Sequence, residues 1–247
     1  MRAKIPARSV TQKNMLIAKP RRLSAKLRRE SIAQSALSLF ARRGFDGVTT
    51  NELAESCGIS EALIFRHFPS KVALYNEILR HYSDLIDPES FRADTLPPST
   101  ETLVKLVFLF VYRIVVKEST KGYEVMRLFY RSFVDDGDFA FRFLRSRRLR
   151  AIRQSFVDSL AEARKSGDAT VLDVDPYNLF WYVQHTASTG CLIRLPPKRA
   201  MNYRGPLDEA VGDMVRFALR GIGLTEAALR RHASAEAFGE IRKNPHL

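Results

Sequence analysis

Two short helical patterns joined at a single glycine constrain this sequence more than any other feature, and both lie in residues 49–68. Thr49 or Thr50 is a good N-cap for the first, with Glu52 three residues after Thr49 as in a capping box. The second begins at Ser60, a residue type that is favoured at helix N-caps. Gly58 between them permits a sharp turn. The spacing therefore predicts two helices that meet at a tight turn.

A third helical pattern precedes this pair, in residues 29–43, where apolar residues recur at helical spacing. In the pair itself, Leu53 and Ala54 form the apolar side of the first helix, and Ile64 and Phe68 form that of the second. Three short helices with such a turn are the helix-turn-helix pattern. The second helix of that motif enters the major groove of DNA. We therefore predict that its outward side chains face DNA.

The positive charge of the chain is concentrated at its N-terminus. Residues 1–29 hold ten Lys and Arg side chains and no acidic one, so the other 218 residues carry only +3 of the net +13. Such a basic arm suits a polyanion, which is nucleic acid first and an anionic membrane surface second. A solvated, disordered tail remains the alternative.

The rest of the chain predicts further helices and almost no strand, so the expected fold class is all-α. The predicted helices after the first three span residues 71–83, 101–117, 122–134, 139–166, 176–192 and 207–220. We expect a basic arm, a helix-turn-helix domain, a regulatory and dimerisation domain and a loosely packed tail, at residues 1–28, 29–83, 84–221 and 222–247.

Several classes of protein are disfavoured by the sequence. No apolar run reaches the roughly 18–20 residues that span a bilayer. Cys57 and Cys191 form neither a disulfide framework nor a metal-ligand spacing. There is no dinucleotide loop, phosphate loop or nucleophile elbow. We therefore expect a cytoplasmic protein that is not an enzyme, is not in a membrane, and uses neither cofactor nor metal.

Residues 32–79 resemble the DNA-binding domain of TetR/AcrR-type transcriptional regulators. The resemblance rests on Gly44-Phe45 after the first helix, the threonine pair, the "GIS" turn and the "FRHFPSK" close. It implies an N-terminal helix-turn-helix domain, a larger helical ligand-binding domain, and a homodimer formed through the last two long helices. Beyond residue 83 the resemblance concerns the architecture alone.

The resemblance also implies roles for particular residues. Positions that hold the phosphate backbone in this family are Thr50, Ser60, His67 and Lys71, and positions that face base edges are Asn51, Glu61, Ala62 and Leu63. Phe65 and Arg66 complete the expected DNA-contacting set, although Phe65 stands where the family more often has a tyrosine hydroxyl. Residue chemistry agrees, since Lys and hydroxyls suit phosphates while Asn suits adenine. A packed helix-end histidine is the alternative for His67.

The function that follows is a sequence-specific transcriptional regulator. We expect a homodimeric repressor that binds a pseudo-palindromic operator in double-stranded DNA and is released by an unidentified small molecule. The alternative is a helix-turn-helix protein that organises DNA or binds a protein without sensing a ligand, and a weaker one is a membrane-surface adaptor. A closed cavity of about a few hundred Å³ in the helical domain would favour ligand sensing.

Two sets of residues after the helix-turn-helix are candidates for ligand contacts. The first set is aromatic and lines a ligand cavity or forms plain core: Phe108, Phe129, Phe133, Trp181, Tyr182 and His185. The second set is basic and forms either a solvated helix face or an anion or second DNA contact: Arg142, Arg145, Arg147, Arg148, Arg150 and Arg153.

Overall fold

The computed structural model describes residues 24–86, 96–116, 120–135, 137–198 and 201–244. Of the basic arm expected at residues 1–28, residues 1–23 therefore lie outside the described residues. The described ranges contain twelve helices: α1 (Ala25–Arg43), α2 (Thr50–Cys57), α3 (Glu61–His67), α4 (Lys71–Ile86), α5 (Thr100–Val116), α6 (Thr120–Val134), α7 (Asp138–Leu144), α8 (Arg147–Lys165), α9 (Pro176–Leu192), α10 (Leu207–Gly221), α11 (Glu226–His232) and α12 (Ala235–Lys243).

The all-α fold class is confirmed, and the only β-type pairing among the described residues is an isolated bridge between Ala169 and Leu224. None of the helices in the described ranges combines the length and the apolar character that crossing a membrane requires. The first helix begins at Ala25, earlier than expected, because the hydroxyl of Ser24 caps it by accepting a hydrogen bond from the Leu27 backbone N–H.

Helices α1–α4 form the part that we call the head. The capping box is present, since the Thr49 hydroxyl accepts from the Glu52 backbone N–H and the Glu52 carboxylate accepts from that of Thr49 at 2.9 Å. Gly58 ends α2 in the left-handed conformation at φ 62°. Ile64 and Phe68 are buried and anchor α3 to the other helices of the head.

Helices α6 and α7, which we call the connecting pair, complete the core of the head. Five of their residues are buried in the same apolar cluster as the core residues of α1–α4: Val125, Leu128, Phe129, Phe139 and Ala140. The packing unit of the head thus extends past residue 83, where the motif and the first expected domain end.

Helices α5 and α8–α12 form the body, which has its own apolar core around α5. The expected continuous helix over residues 139–166 is instead two helices, because the Ser146 hydroxyl caps a new one by accepting from the Leu149 backbone N–H. The stretch after Gly221, expected to be a loose tail, contains α11 and α12. Phe238 of α12 stacks on Phe108 of α5 with ring centroids 4.5 Å apart, because both are apolar surfaces that need a partner.

A latch made by Arg131 and Asp135 of α6 joins the connecting pair to the end of α1. The Arg131 guanidinium donates to the Arg42 carbonyl at 3.0 Å and to the Asp135 carboxylate at 3.2 Å. Gly44, at φ 76°, lies beneath this pair, and a Cβ there would come within 2.6 Å of the Asp135 carboxylate. A Cβ at position 44 would therefore displace the side chains of the latch, and the positive φ there also favours glycine.

Candidate nucleic-acid interface

The outward side of α3 and the N-terminus of α2 form one surface of the head. Five of the ten residues expected to contact DNA are exposed there: Asn51, Ser60, Ala62, Phe65 and Arg66. The other five are half-buried: Thr50, Glu61, Leu63, His67 and Lys71. Because Ile64 and Phe68 anchor the opposite side of α3, the structure brings the ten residues together on the first four helices.

The N-termini of α2 and α3 are tied to each other. The Thr50 hydroxyl donates a hydrogen bond to the Glu61 carboxylate. On the next residue, the Asn51 amide donates to the Glu55 carboxylate at 2.9 Å. The Glu61 carboxylate is an acceptor with several lone pairs, so this bond orients it and leaves capacity to accept from a further donor.

Lys71 is held at the start of α4 by an aromatic ring. Its Nζ lies 4.2 Å from the centroid of Phe45, in a cation–π contact. Burial lowers the pKa of Lys71, and the nearby Asp46 carboxylate acts in the opposite direction. The ring thus fixes the position of a cation beside α3.

His67, at the C-terminal end of α3, lies in a cationic environment. Burial lowers the pKa of His67, and the positive charges of Arg29, Arg66 and Arg28 lower it further. The neutral imidazole is therefore favoured in the free protein. A phosphate at this position would favour the protonated form instead.

Arg29, a partly exposed residue of α1, supports this surface, a role that the sequence does not reveal. Its guanidinium donates to the His67 carbonyl and to the Glu77 carboxylate at 3.2 Å, and lies 4.3 Å from the Phe68 ring centroid. It thereby joins α1, α3 and α4. An arginine within a run of basic residues carries no local signal of such partners, which are distant in sequence.

A small cavity lies between the connecting pair and the body. Its volume is about 40 Å³, and most of its lining is apolar: Phe110, Ile114, Met126, Phe129, Phe143, Leu144, Leu149 and Ile152. Ser146, Arg148, Gln184 and Ser188 supply the polar groups. Since Phe129 also belongs to the core of the head, the cavity lies where the two cores meet.

The aromatic residues expected to line a ligand cavity are dispersed. Phe129 lines the cavity, whereas Phe108 is packed in the core of the body. Phe133 is 57% exposed. Trp181 is half-buried, with its ring 5.4 Å from that of Phe180, and the two remaining residues, Tyr182 and His185, lie on the outer side of α9. Helical spacing did not indicate which side of each helix faces the cavity.

The outer sides of α9 and α10 carry exposed apolar side chains. Phe217 is 70% exposed and Tyr182 is 55% exposed. A groove of about 550 Å³ runs between the two helices, with Thr189, Gly190 and Met214 among its lining residues. This face is available for a partner.

Comparison with known proteins agrees with the geometry of the head. The model of the tetR family of bacterial regulatory proteins matches residues 32–78. Nucleoid occlusion factor SlmA of Salmonella newport is 35% identical over 85 residues, which cover 34% of this chain and 43% of that protein. The chain therefore matches less than half of the length of these curated relatives.

Solved structures resemble a larger part of the chain. The crystal structure of AibR in complex with isovaleryl coenzyme A and operator DNA has a TM-score of 0.57 at 18% identity, covering 77% of this chain and 97% of that one. The ketosteroid transcriptional regulator KstR2 of Mycobacterium tuberculosis has a TM-score of 0.55 at 20% identity, covering 80% and 96%. At such identities the likeness concerns the fold.

The fold and the exposed side of α3 define an all-helical protein with an N-terminal helix-turn-helix head. The family match at residues 32–78 makes the assignment more specific, and the resemblance seen in the sequence is confirmed. Residues 32–78 of the chain carry the helix-turn-helix domain of the tetR family of bacterial regulatory proteins.

Proposed function

We propose that this protein is a sequence-specific transcriptional regulator that binds a pseudo-palindromic operator as a homodimer. The observation that carries the proposal is the surface of α2 and α3, whose polar residues face outward over a buried anchor of Ile64 and Phe68. Helix N-termini, hydroxyls and Lys71 are suited to phosphates, and the oriented Glu61 carboxylate is suited to a base donor such as cytosine N4.

The direct test is selection of bound sequences from a random DNA pool, followed by footprinting of the selected site. We expect two inverted half-sites, because one recognition helix reads too few bases to specify a site, with centres one helical turn (about 34–36 Å) or a multiple apart. Protection of one isolated half-site by a monomer contradicts the proposal.

The homodimer that we propose uses the outer face of α9 and α10. Support comes from Phe217 and Tyr182, whose exposed rings are costly to leave in water and are self-complementary across a two-fold axis. Phe217→Glu is expected to shift the protein to monomer in sedimentation experiments. Phe133→Glu is the matched control, since Phe133 is a similarly exposed aromatic residue on α6, and it is expected to leave the dimer intact.

Release of DNA by a small molecule is the finer part of the proposal. The cavity supports it by its position, since a ligand that enlarges it displaces α6 and α7, which complete the core of the head. Tyr130 of α6 also donates to the Ser188 carbonyl of α9 at the cavity edge. By linkage, such a ligand binds more weakly in the presence of operator, by the same factor as it weakens DNA. Equal affinity with and without operator contradicts release.

A ligand-independent DNA-organising protein is the second candidate function. The size of the cavity favours it, because about 40 Å³ is far below the roughly 300–1,000 Å³ of small-molecule sites. A nucleoid occlusion factor among the relatives is consistent with it. Genome-wide mapping of bound DNA separates the two candidates: a few sites near promoters indicate a regulator, and many dispersed sites indicate an organiser.

A further inference from the structure

A second concave site lies on the other side of α6, between the head and the body. It is a crevice of about 470 Å³ whose walls include Arg42 at the end of α1, Tyr123 and Arg127 on α6, and Arg194 and Pro197 in the segment after α9. None of these residues lines the small apolar cavity. The crevice is therefore distinct from the cavity proposed for an effector.

The charge of this crevice is unbalanced. Three arginines line it, and Glu124 is the one acidic residue among its described lining residues. The Glu124 carboxylate accepts a hydrogen bond from the Ser38 hydroxyl at 2.6 Å. A concave surface with an excess of positive charge concentrates anions, because the surrounding protein focuses the field into the crevice.

Arg127 of the connecting pair and Arg194 of the body are held in place by hydrogen bonds. The Arg127 guanidinium donates to the Leu195 carbonyl at 2.6 Å, which uses one of its five N–H donors. The Arg194 guanidinium donates to the Tyr123 hydroxyl at 3.5 Å. Both arginines are half-buried, whereas Arg42 is exposed and reaches in from the head. Fixed guanidinium groups lose little freedom when they bind an anion, so this arrangement is preorganised.

We propose that this crevice binds a small molecule through a multivalent oxyanion, either a phosphate ester or a polycarboxylate. Planar guanidinium groups match the geometry of both in two-pronged hydrogen bonds. The site goes beyond the proposed function, since DNA binding, dimerisation and the apolar cavity do not require it.

An anion in this crevice bridges the head and the body. Arg42 belongs to α1 and therefore moves with the head, while Arg194 belongs to the body. An anion held by both arginines favours the orientation of the head that binds it more tightly. The size of this effect is set by the difference in anion affinity between the orientations. The bound molecule thereby changes DNA affinity without entering the apolar cavity.

Titration calorimetry on the full chain without DNA tests the site, with pyrophosphate and citrate as probes at constant ionic strength. Arg42→Gln removes an exposed side chain and is expected to leave the fold intact, which circular dichroism verifies. Arg127→Gln removes a donor on α6, in the connecting pair. Arg230→Gln is the matched control, because Arg230 is an exposed arginine of α11 outside the crevice.

We expect one saturable site per chain for at least one probe. Loss of a charge-assisted hydrogen bond is expected to weaken its affinity about tenfold or more in Arg42→Gln and Arg127→Gln, with no change in Arg230→Gln. Binding of pyrophosphate alone identifies a phosphate ester, and binding of citrate alone identifies a polycarboxylate. No saturable binding, or equal weakening in all three variants, overturns the proposal.

Discussion

The head and the body differ in how far apart in the chain their functional side chains lie. In the head, the ten residues of the candidate DNA surface come from residues 50–71, and local caps and one turn arrange them. Between the connecting pair and the body, the cavity is lined by residues between 110 and 188, contributed by five helices. A surface built from neighbouring residues is specified by local signals, whereas a cavity built from distant ones depends on how the helices pack.

The two regions nevertheless meet through the connecting pair. Helices α6 and α7 share the apolar core of the head and form one wall of the cavity. The candidate DNA surface of the head is therefore formed by residues close together in the chain, whereas the core of the head also needs the distant helices α6 and α7. Substitutions that change only the candidate DNA surface, or only the core that the head shares with α6 and α7, test this comparison of the head with the body.

Phe129→Ala is expected to have the largest effect on stability. Phe129 is buried in the core of the head and also lines the cavity, so its truncation is expected to cost about 3–5 kcal/mol of unfolding free energy. Denaturant unfolding measures the loss, and hydrogen exchange locates it. We expect faster exchange in α1, because the head loses part of its core.

Phe156→Ala is the matched control for this substitution, because Phe156 is equally buried in the core of the body. It is expected to cost a similar free energy of about 3–5 kcal/mol but to accelerate exchange in α5 and α9 first. Unchanged exchange of α1 in Phe129→Ala contradicts a core shared between the head and the connecting pair.

Gly44→Ala is expected to have the next largest effect, at about 1–3 kcal/mol. Gly44 has φ 76°, and its new Cβ meets the latch formed by Arg131 and Asp135. Gly58→Ala is the control: φ is 62° there, but nothing lies within 4 Å of a Cβ, so only backbone strain of about 1 kcal/mol remains. Equal losses of stability in the two variants indicate that the latch contributes nothing.

Lys71→Ala and Glu61→Gln are expected to have different effects on the candidate DNA surface: the first changes DNA affinity, and the second changes base preference. Lys71→Ala removes the phosphate contact that we propose for Lys71, so it is expected to weaken all sequences alike and to reduce the slope of log affinity against log salt by about one. Glu61→Gln retains an acceptor for the Thr50 hydroxyl but adds an N–H donor, so it is expected to shift base preference at one position per half-site. Binding selections on both variants measure this; unchanged preference in Glu61→Gln places that residue outside base readout.

The smallest expected effect is the pH dependence that Glu52 contributes. Hydrogen bonds from the Thr49 backbone N–H and from Arg43 lower the pKa of Glu52 from 4.5 to about 2. Because the folded state has the lower pKa, the stabilisation is complete above pH 4.5 and is lost as pH falls from 4.5 toward 2. Urea unfolding of the wild type and Glu52→Gln is therefore expected to show a stability difference that shrinks over this range. A constant difference contradicts a role for the carboxylate charge.

The sequence by itself determined the elements of the head and the outward side of α3. Thr49, Ser60 and Gly58 specify helix starts and a turn through hydrogen bonds and backbone preferences within a few residues of themselves, so their effect can be predicted without knowing the rest of the fold. The break at Ser146 had a similar local cause, but the polar run around it concealed the cap.

Only the tertiary structure decided which helices cover which. Helical periodicity shows that a helix has an apolar side, but the hydrophobic effect is not directional and does not select the partner. Phe238 therefore stacks on Phe108, Arg29 donates a hydrogen bond to Glu77, and Tyr182 stays exposed. None of these outcomes can be predicted from the neighbouring residues in the chain. The cavity and the arginine crevice arise in the same way, from side chains that meet after the helices have packed.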